Sequence, residues 1–395
     1  MKYDVIIIGA GIVGLATALK IKEKSPQKKL LLIDKEDDVA AHQTGHNSGV
    51  IHSGLYYKPG SLKATNCING YNMLIDFCEQ HKVPFELCGK VVVATSQEEI
   101  PILNGLFTRG LANGLEGLKM LDRDEILEYE PHVNGLEGFF VPQTGIVNYS
   151  VVAEKIMQIL NESGTDFALG HPVTKINTTS TAVHVVAGEE QFEASTLINC
   201  AGLYADKIAE MSGDHPGIKI IPFRGEYYKL KPEKEYLVKN LIYPVPDPDF
   251  PFLGVHFTRM KRGGVEAGPN AVLAYKREGY KKSDISFGEF FEVLGWPGFQ
   301  KVAKKYWKTG LGEFYRSYSK AAFTKALQKL IPEVEEKDLV KGGSGVRAQA
   351  CDRDGGLIDD FLIHQAERTI NILNAPSPAA TSALSIGETV ADLID

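Results

Sequence analysis

Gly9, Gly11 and Gly14 stand in the pattern Gly9-Ala-Gly11-Ile-Val-Gly14, and an acid, Asp34, follows 20 residues after the last of them. Such a glycine pattern alone is a weak signal. It gains weight because the apolar run Asp4-Val-Ile-Ile-Ile-Gly9 precedes it and a helical stretch follows it, the setting a dinucleotide-binding turn requires. Gly9 makes the tight turn. Gly11 lets the backbone approach a pyrophosphate seated on the helix N-terminus, and Gly14 lets the helix pack on the strand. Asp34 is placed to accept hydrogen bonds from adenosine ribose hydroxyls, with Ile12, Val13 and Lys35 as flanking contacts. The chemistry implied is the binding of a dinucleotide.

A second cluster, His42-Gln-Thr-Gly-His-Asn-Ser-Gly-Val-Ile-His-Ser-Gly54, is small and polar over residues 44–49. An extended segment of that kind can lie along a long cofactor, with Thr44, Asn47, Ser48 and Gly49 as contacts. A nicotinamide enzyme would continue a six-stranded double wind instead, so FAD is the expected cofactor. Gly343-Ser-Gly345-Val-Arg-Ala348 formally matches G-x-G-x-x-A. Arg347 and the turn-rich stretch after it do not open an amphipathic helix, and a second nucleotide site is rejected on that ground. The five cysteines, Cys67, Cys78, Cys88, Cys200 and Cys351, form no C-x-x-C pair. They read as reduced thiols, with no metal site.

These residues need elements to hold them. The spacing predicts a strand over 4–9, a helix over 12–24 with Leu15, Ala18, Leu19 and Ile21 on its buried side, and a strand over 30–34. Further helices are expected over 66–81, 150–163, 204–212 and 382–394, and strands over 90–95, 183–186, 196–202 and 368–374. Short β-like runs at 227–230, 241–244 and 254–257 read as an antiparallel sheet, and residues 285–331 as helices. Strand–helix pieces of one type thus occur at the start, middle and end of the chain. The expected fold is α/β. A Rossmann-like FAD-binding domain is assembled from residues 1–84, 148–215 and 340–395, and an inserted α+β substrate domain of mixed or antiparallel sheet and helices from 85–147 and 216–339.

Composition bounds the function. The 395 residues suffice for two or three domains, 44% of them are apolar, and the net charge of −7 argues against a nucleic-acid binder. No basic, cleavable leader precedes the first strand, and no apolar run approaches the roughly 20 residues of a membrane span. A cytoplasmic location is the expectation.

The stretches His46–Ala64, Cys200–Asp206, Gly343–Ala348 and Asn374–Glu388 resemble the D-amino-acid-oxidase-like flavoprotein superfamily. Together with Pro222–Tyr228, Phe252–Arg259 and Gly268–Asn270, they resemble the L-2-hydroxyglutarate dehydrogenase/oxidase family over essentially the whole chain; residues 276–320 carry little of the likeness. The resemblance implies oxidation of L-2-hydroxyglutarate to 2-oxoglutarate by hydride transfer from C2 to flavin N5. It also implies noncovalent FAD, and quinone or oxygen as the electron acceptor. Cofactor contacts at Val173, Ala201, Gly202, Gly345 and the turn Ser377-Pro378-Ala379-Ala380-Thr381 follow from it, that turn placing a helix dipole near the flavin.

A dianionic alcohol needs cationic clamps and a base. In the resemblance Arg347 holds a substrate carboxylate, which a guanidinium does bidentately. His52 is the candidate base, its ordinary pKa near 6.5 suiting removal of an alcohol proton. His256 is the rival base or a second carboxylate ligand. Tyr56, Tyr57, Tyr243, Arg259 and Asn270 are further substrate candidates. A related flavoenzyme acting on glycerol 3-phosphate or a small amino acid, and an FAD-dependent module without turnover, remain alternatives. Residues 276–308 are locally basic and hold both tryptophans. Either they form a helical part of the substrate domain, or they rest on an anionic membrane surface from which a quinone is reached.

Overall fold

The computed structural model describes residues 2–247 and 253–394. Lys2–Ile8 is buried continuously from Val5 to Ile8, as a strand covered on both faces must be, and Leu30–Ile33 is wholly buried beside it. The two run parallel, with Val5 opposite Leu30 and Ile8 opposite Ile33. Lys2–Ile8 also pairs in parallel with Glu190–Asn199, which in turn pairs in parallel with Thr369–Asn374. Asp166–Ala168 completes the other edge against Leu30–Ile33. One parallel sheet is thus drawn from the beginning, middle and end of the chain, as expected, and antiparallel strands Val173–Thr178 and Val183–Ala187 extend it to eight with Leu362–Gln365.

Helix Ile12–Lys24 covers this sheet, and the C-terminal helix Ala379–Ala391 lies against it so closely that a Cβ on Gly387 would overlap the backbone of Ala16 and Thr17. Helix Leu62–Gln80 packs on the same C-terminal helix through Gly70, whose missing side chain leaves room for Thr381 and Ser382. It begins four residues before the expected start because Ser61 caps it, accepting from the Ala64 N–H. The C-terminal helix begins three residues early, so Ala379, Ala380 and Thr381 form its first turn instead of the loop before it.

The second sheet has nine strands. Its spine is the antiparallel pair Ile218–Leu230 and Leu339–Asp352, paired from Ile218 opposite Asp352 to Leu230 opposite Leu339 with one register shift between Glu226 and Tyr228. Residues 340–352, assigned from the sequence to the FAD-binding segments, therefore belong to this sheet, and Gly343–Ala348 is strand rather than a turn opening a helix. The run expected at 254–257 forms a strand at His256–Arg259, and Phe252 of the same stretch lies outside the described residues. A small sheet of Val50–Ile51, Gly145–Val147 and Phe85–Glu86 stands beside the two larger ones. Residues 287–327 are helical: Phe287–Gly295, Pro297–Tyr318 with a kink at Tyr306, and Lys320–Leu327. All five cysteines are free thiols, and no helix among the described residues is long and apolar enough to cross a membrane.

Candidate active site

A cavity of about 1400 Å³ runs from the glycine turn to the second sheet. At one end its walls are Gly9, Gly11, Ile12 and Val13, with Asp34 and Lys35 beside them. Gly9 has φ +106°, and a Cβ there would overlap the Cys200 carbonyl. A Cβ on Gly14 would overlap the Gly9 carbonyl, so Gly14 lies under the turn, packing helix on strand, and does not line the cavity. The Asp34 carboxylate accepts from the Ala10 N–H at 2.7 Å and from the Glu36 N–H at 3.0 Å, which braces the turn and leaves lone pairs toward the cavity. Lys35 is held by Glu36 and Glu278. Thr44 Oγ1 accepts from the Ile12 N–H at 2.9 Å, capping the first helix from outside it.

Along the cavity's length come Ser48, Val173, Ala201, Gly202 and Gly345, then Ser377, Pro378, Ala379, Ala380 and Thr381. Two expectations change in detail. Asn47 lines the cavity, but its side chain is committed to its own loop: the amide donates to the Gln43 and Thr44 carbonyls and its oxygen accepts from the Gly49 N–H. Gly49 does not reach the cavity; its φ of +68° turns the loop against Val147.

The other end is a cluster of titratable side chains. His52 follows the short strand Val50–Ile51, and its N–H donates to Thr381 Oγ1 at 3.1 Å. Thr381 shares a 2.8 Å bond with the Tyr149 hydroxyl, which donates to the Val50 carbonyl at 3.0 Å. The hydroxyl of Thr381 therefore fixes the His52 backbone to the C-terminal helix. Asn113 holds the following loop, donating to the carbonyls of Gly54 and Tyr57 at 2.9 Å each.

His256 opens its strand, with Nδ1 against the Gly254 carbonyl at 2.9 Å. A carbonyl only accepts, so Nδ1 carries the proton and Nε2 is the free acceptor. Its ring stacks on Tyr243 with centroids 4.0 Å apart. Arg347 comes from the spine of the second sheet, opposite Phe223, and lies deep in the fold although the cavity leaves part of its surface open. The Tyr56 hydroxyl is buried with no hydrogen-bond partner among the described residues, and Tyr56 lines the same region as Tyr57 and Tyr243.

Burial governs the electrostatics. It pushes His52 down to about 3, with Lys90, His256 and Lys63 adding to the fall. It pushes His256 down to about 4, aided by Arg347 and Lys90. His52 thus does not keep the ordinary histidine pKa expected from the sequence; both rings are neutral acceptors at neutral pH. Every charged group that depresses them is cationic. An anion placed among them would raise both pKa values and find a site already biased toward negative charge.

Two expected substrate residues stand elsewhere. Arg259 is ion-paired with Glu86 and donates to Asn240 Oδ1 at 3.2 Å. Asn270 is buried, its Oδ1 accepting from the Glu226 N–H at 2.8 Å and its amide donating to the Glu226 carboxylate at 3.2 Å. Neither lines the cavity. Lys90, Lys63 and Tyr227 were not anticipated. Lys90 reads as an ordinary member of a strand and Lys63 falls before the helix expected from residue 66, and only the tertiary fold brings them to the histidines.

The residues present fit FAD on observations of the chain itself. Gly9 and Gly11 line the cavity where a pyrophosphate would lie, Val13 stands in the first turn of the first helix beside them, and the same cavity is lined as far as His52.

Residues 4–393 match the family described as FAD dependent oxidoreductase. The L-2-hydroxyglutarate dehydrogenase of Indibacter alkaliphilus is 62% identical over 393 residues, spanning 99% of this chain and 98% of that protein. The protein of the same name from Escherichia coli K12 is 47% identical, spanning 98% of this chain and 91% of its own. Among solved structures, the L-alpha-glycerophosphate oxidase of Mycoplasma pneumoniae with FAD bound superposes with a TM-score of 0.81 at 22% identity, covering 100% of this chain and 95% of that one. The glycine oxidase of Geobacillus kaustophilus superposes with a TM-score of 0.76 at 16% identity, covering 100% and 94%. The two structural likenesses establish the fold.

Proposed function

This chain belongs to the FAD dependent oxidoreductase family, and from that premise we propose that it oxidises the C2 hydroxyl of L-2-hydroxyglutarate to give 2-oxoglutarate. The substrate follows from the relatives that share that name across the whole chain. The observation in the molecule that carries it is the meeting of two neutral histidines and Arg347 in a cationic setting at one end of the cavity. Bound FAD supplies the acceptor for the hydride that leaves C2.

The chain's own residues do the rest. Gly9, Gly11, Asp34, the first helix N-terminus and the first turn of Ala379–Ala391 hold the cofactor. Arg347 binds the C1 carboxylate through paired N–H donors and so orients C2. His52 takes the hydroxyl proton on a ring nitrogen. The negative charge of the substrate raises the basicity of that ring at the moment it is needed. His256 presents Nε2 to the same region, and Tyr56 offers its unpartnered hydroxyl as a donor to substrate oxygen. Turnover with an artificial acceptor, read as 2-oxoglutarate formed, tests this: L-2-hydroxyglutarate should support it, and the D-enantiomer, glycerol 3-phosphate and glycine should not.

A quinone at the surface of a membrane is the acceptor this reading favours. Residues 276–308 are not simply a packed helical layer. Val293, Phe299 and Val302 are buried, but Phe287, Phe291 and Trp307 are 72%, 64% and 56% exposed, as are Leu311, Tyr315 and Tyr318 to similar degrees. The exposed Lys304, Lys305 and Lys308 stand among them, and Lys305 and Tyr306 also line the cavity. Such a face suits a reversible, salt-sensitive contact with an anionic leaflet, on the cytoplasmic side for a cytoplasmic protein. Co-sedimentation with anionic vesicles at low but not high salt is expected. Its absence at low salt would favour oxygen as acceptor.

A further inference from the structure

Six cationic side chains are buried among the described residues: Lys22, Lys63, Lys90, Lys219, Arg224 and Arg277. Five have oxygen partners. Arg277 meets Asp206, Arg224 meets Glu226, Lys219 meets Glu292, Lys63 meets Asp359, and Lys22 donates to the carbonyls of Pro26 and Lys28. Lys90 is 1% exposed and has none. Its ammonium lies between two rings, 4.6 Å from the Tyr56 centroid and 4.9 Å from that of Tyr243. Both rings line the cavity, and Lys90 is not among its walls.

An unpaired buried charge is costly, and a sheet position such as Lys90, opposite Val141, would accept an apolar side chain at no such cost. The groups that face Lys90 offer no counter-charge. Cys67, on Leu62–Gln80, has its thiol pushed up to about 12 and stays neutral. His52 and His256 are neutral, and burial raises Tyr56 and Tyr243 above the ordinary tyrosine range. Lys63 and Arg347 are cations. Burial lowers Lys90 itself to about 7. An anion in the cavity is the missing partner.

We propose that Lys90 is a positioning residue whose ammonium is the proton-switched counter-charge for the anionic substrate, acting through the Tyr56 and Tyr243 rings. It takes up a proton as the dicarboxylate enters and gives it up as the product leaves. The cation then holds both rings against the substrate pocket by cation–π attraction while its field attracts the incoming negative charge. Linkage makes the effect reciprocal: what raises proton affinity at Lys90 raises anion affinity by the same factor. This rests on the substrate reading above.

The test is calorimetry of 2-oxoglutarate binding to the FAD-loaded protein at pH 7.5 and 8.5, in buffers of different ionisation heat. The wild type should take up a substantial fraction of a proton at pH 7.5 and a smaller one at pH 8.5, where a tenfold coupling leaves Lys90 mostly deprotonated even in the complex. Lys90→Met should lose the uptake and bind at least about tenfold more weakly, within the usual 5–150-fold range of coupling. Lys90→Arg, permanently charged, should keep affinity and lose the uptake. His52→Gln should keep the uptake, which separates Lys90 from the histidines. Wild-type uptake in Lys90→Arg, or unchanged affinity and uptake in Lys90→Met, would overturn the proposal. Proton uptake with glycerol 3-phosphate but no binding of 2-oxoglutarate would instead overturn the substrate reading and uphold Lys90.

Discussion

At the glycine turn, Gly9 and Gly14 let backbone carbonyls approach where a Cβ would collide, Asp34 braces the backbone, and Thr44 caps the helix. At the far end of the same cavity, His52, His256 and Arg347, with Lys90 near them, arrive from four separate strands or loops, and burial holds each histidine and Lys90 well below its ordinary pKa. The first end works through backbone shape and the second through desolvated charge. A backbone site is written in consecutive residues. A charge site exists only after the two sheets have come together.

Damage should therefore separate the two ends. The largest effect belongs to Gly14→Ala, whose methyl meets the Gly9 carbonyl. It should yield protein with little or no FAD, read from the ratio of flavin to protein absorbance; wild-type FAD content would show that helix–strand contact does not limit binding. His52→Ala comes next. It should keep FAD and slow substrate oxidation by about 10²–10⁴-fold, the usual worth of a general base. If the rate stays near wild type, His256 with its free Nε2 becomes the base.

How far the sequence could be read follows the same division. The glycine fingerprint and the discontinuous parallel sheet were legible because short-range pattern dictates them; the turn at Ser377–Thr381, which lines the cavity, was legible only through the resemblance. Asn47 and Thr381 were legible as positions but not as roles, since their side chains are committed to loop and brace by partners far away or hidden within the loop. Arg259 and Asn270 misled because a polar residue in a strand looks the same whether it meets substrate or, as here, Glu86 and Glu226. Lys90 was invisible: Lys-Val-Val-Val-Ala reads as a strand and says nothing of what its lysine meets, and only the fold sets the ammonium against the Tyr56 and Tyr243 rings.

A smaller effect should follow from Arg347→Ala. Loss of a charge-assisted carboxylate contact worth about 1.5–3 kcal/mol should raise KM roughly 10–150-fold, with a further fall in kcat if C2 is misoriented. FAD content should be unchanged. An effect on FAD content with no change in KM would move Arg347 to the nucleotide end.

The smallest effect is on stability in acid. His52 and His256 have folded pKa values of about 3 and 4 against about 6.5 when unfolded. Between those limits the unfolded chain binds more protons, so stability falls as pH drops below about 6.5 and the loss is complete only near the folded values. At pH 5 the cost is about 2 kcal/mol for His256 and less for His52, which the cavity leaves partly open to water. The thermal midpoint of a His52→Gln/His256→Gln variant should therefore vary less between pH 7 and 5 than that of the wild type. An identical pH dependence would mean that the histidines are not held neutral by burial.

The central claim is that the charged end of this cavity recognises a 2-hydroxy dicarboxylate and oxidises it beside the cofactor held at the other end. Anaerobic titration of the yellow protein tests it most directly. Stoichiometric bleaching by L-2-hydroxyglutarate, with release of 2-oxoglutarate and no response to glycerol 3-phosphate or glycine, is the predicted result. Bleaching by glycerol 3-phosphate or glycine, with L-2-hydroxyglutarate leaving the spectrum unchanged, would contradict it.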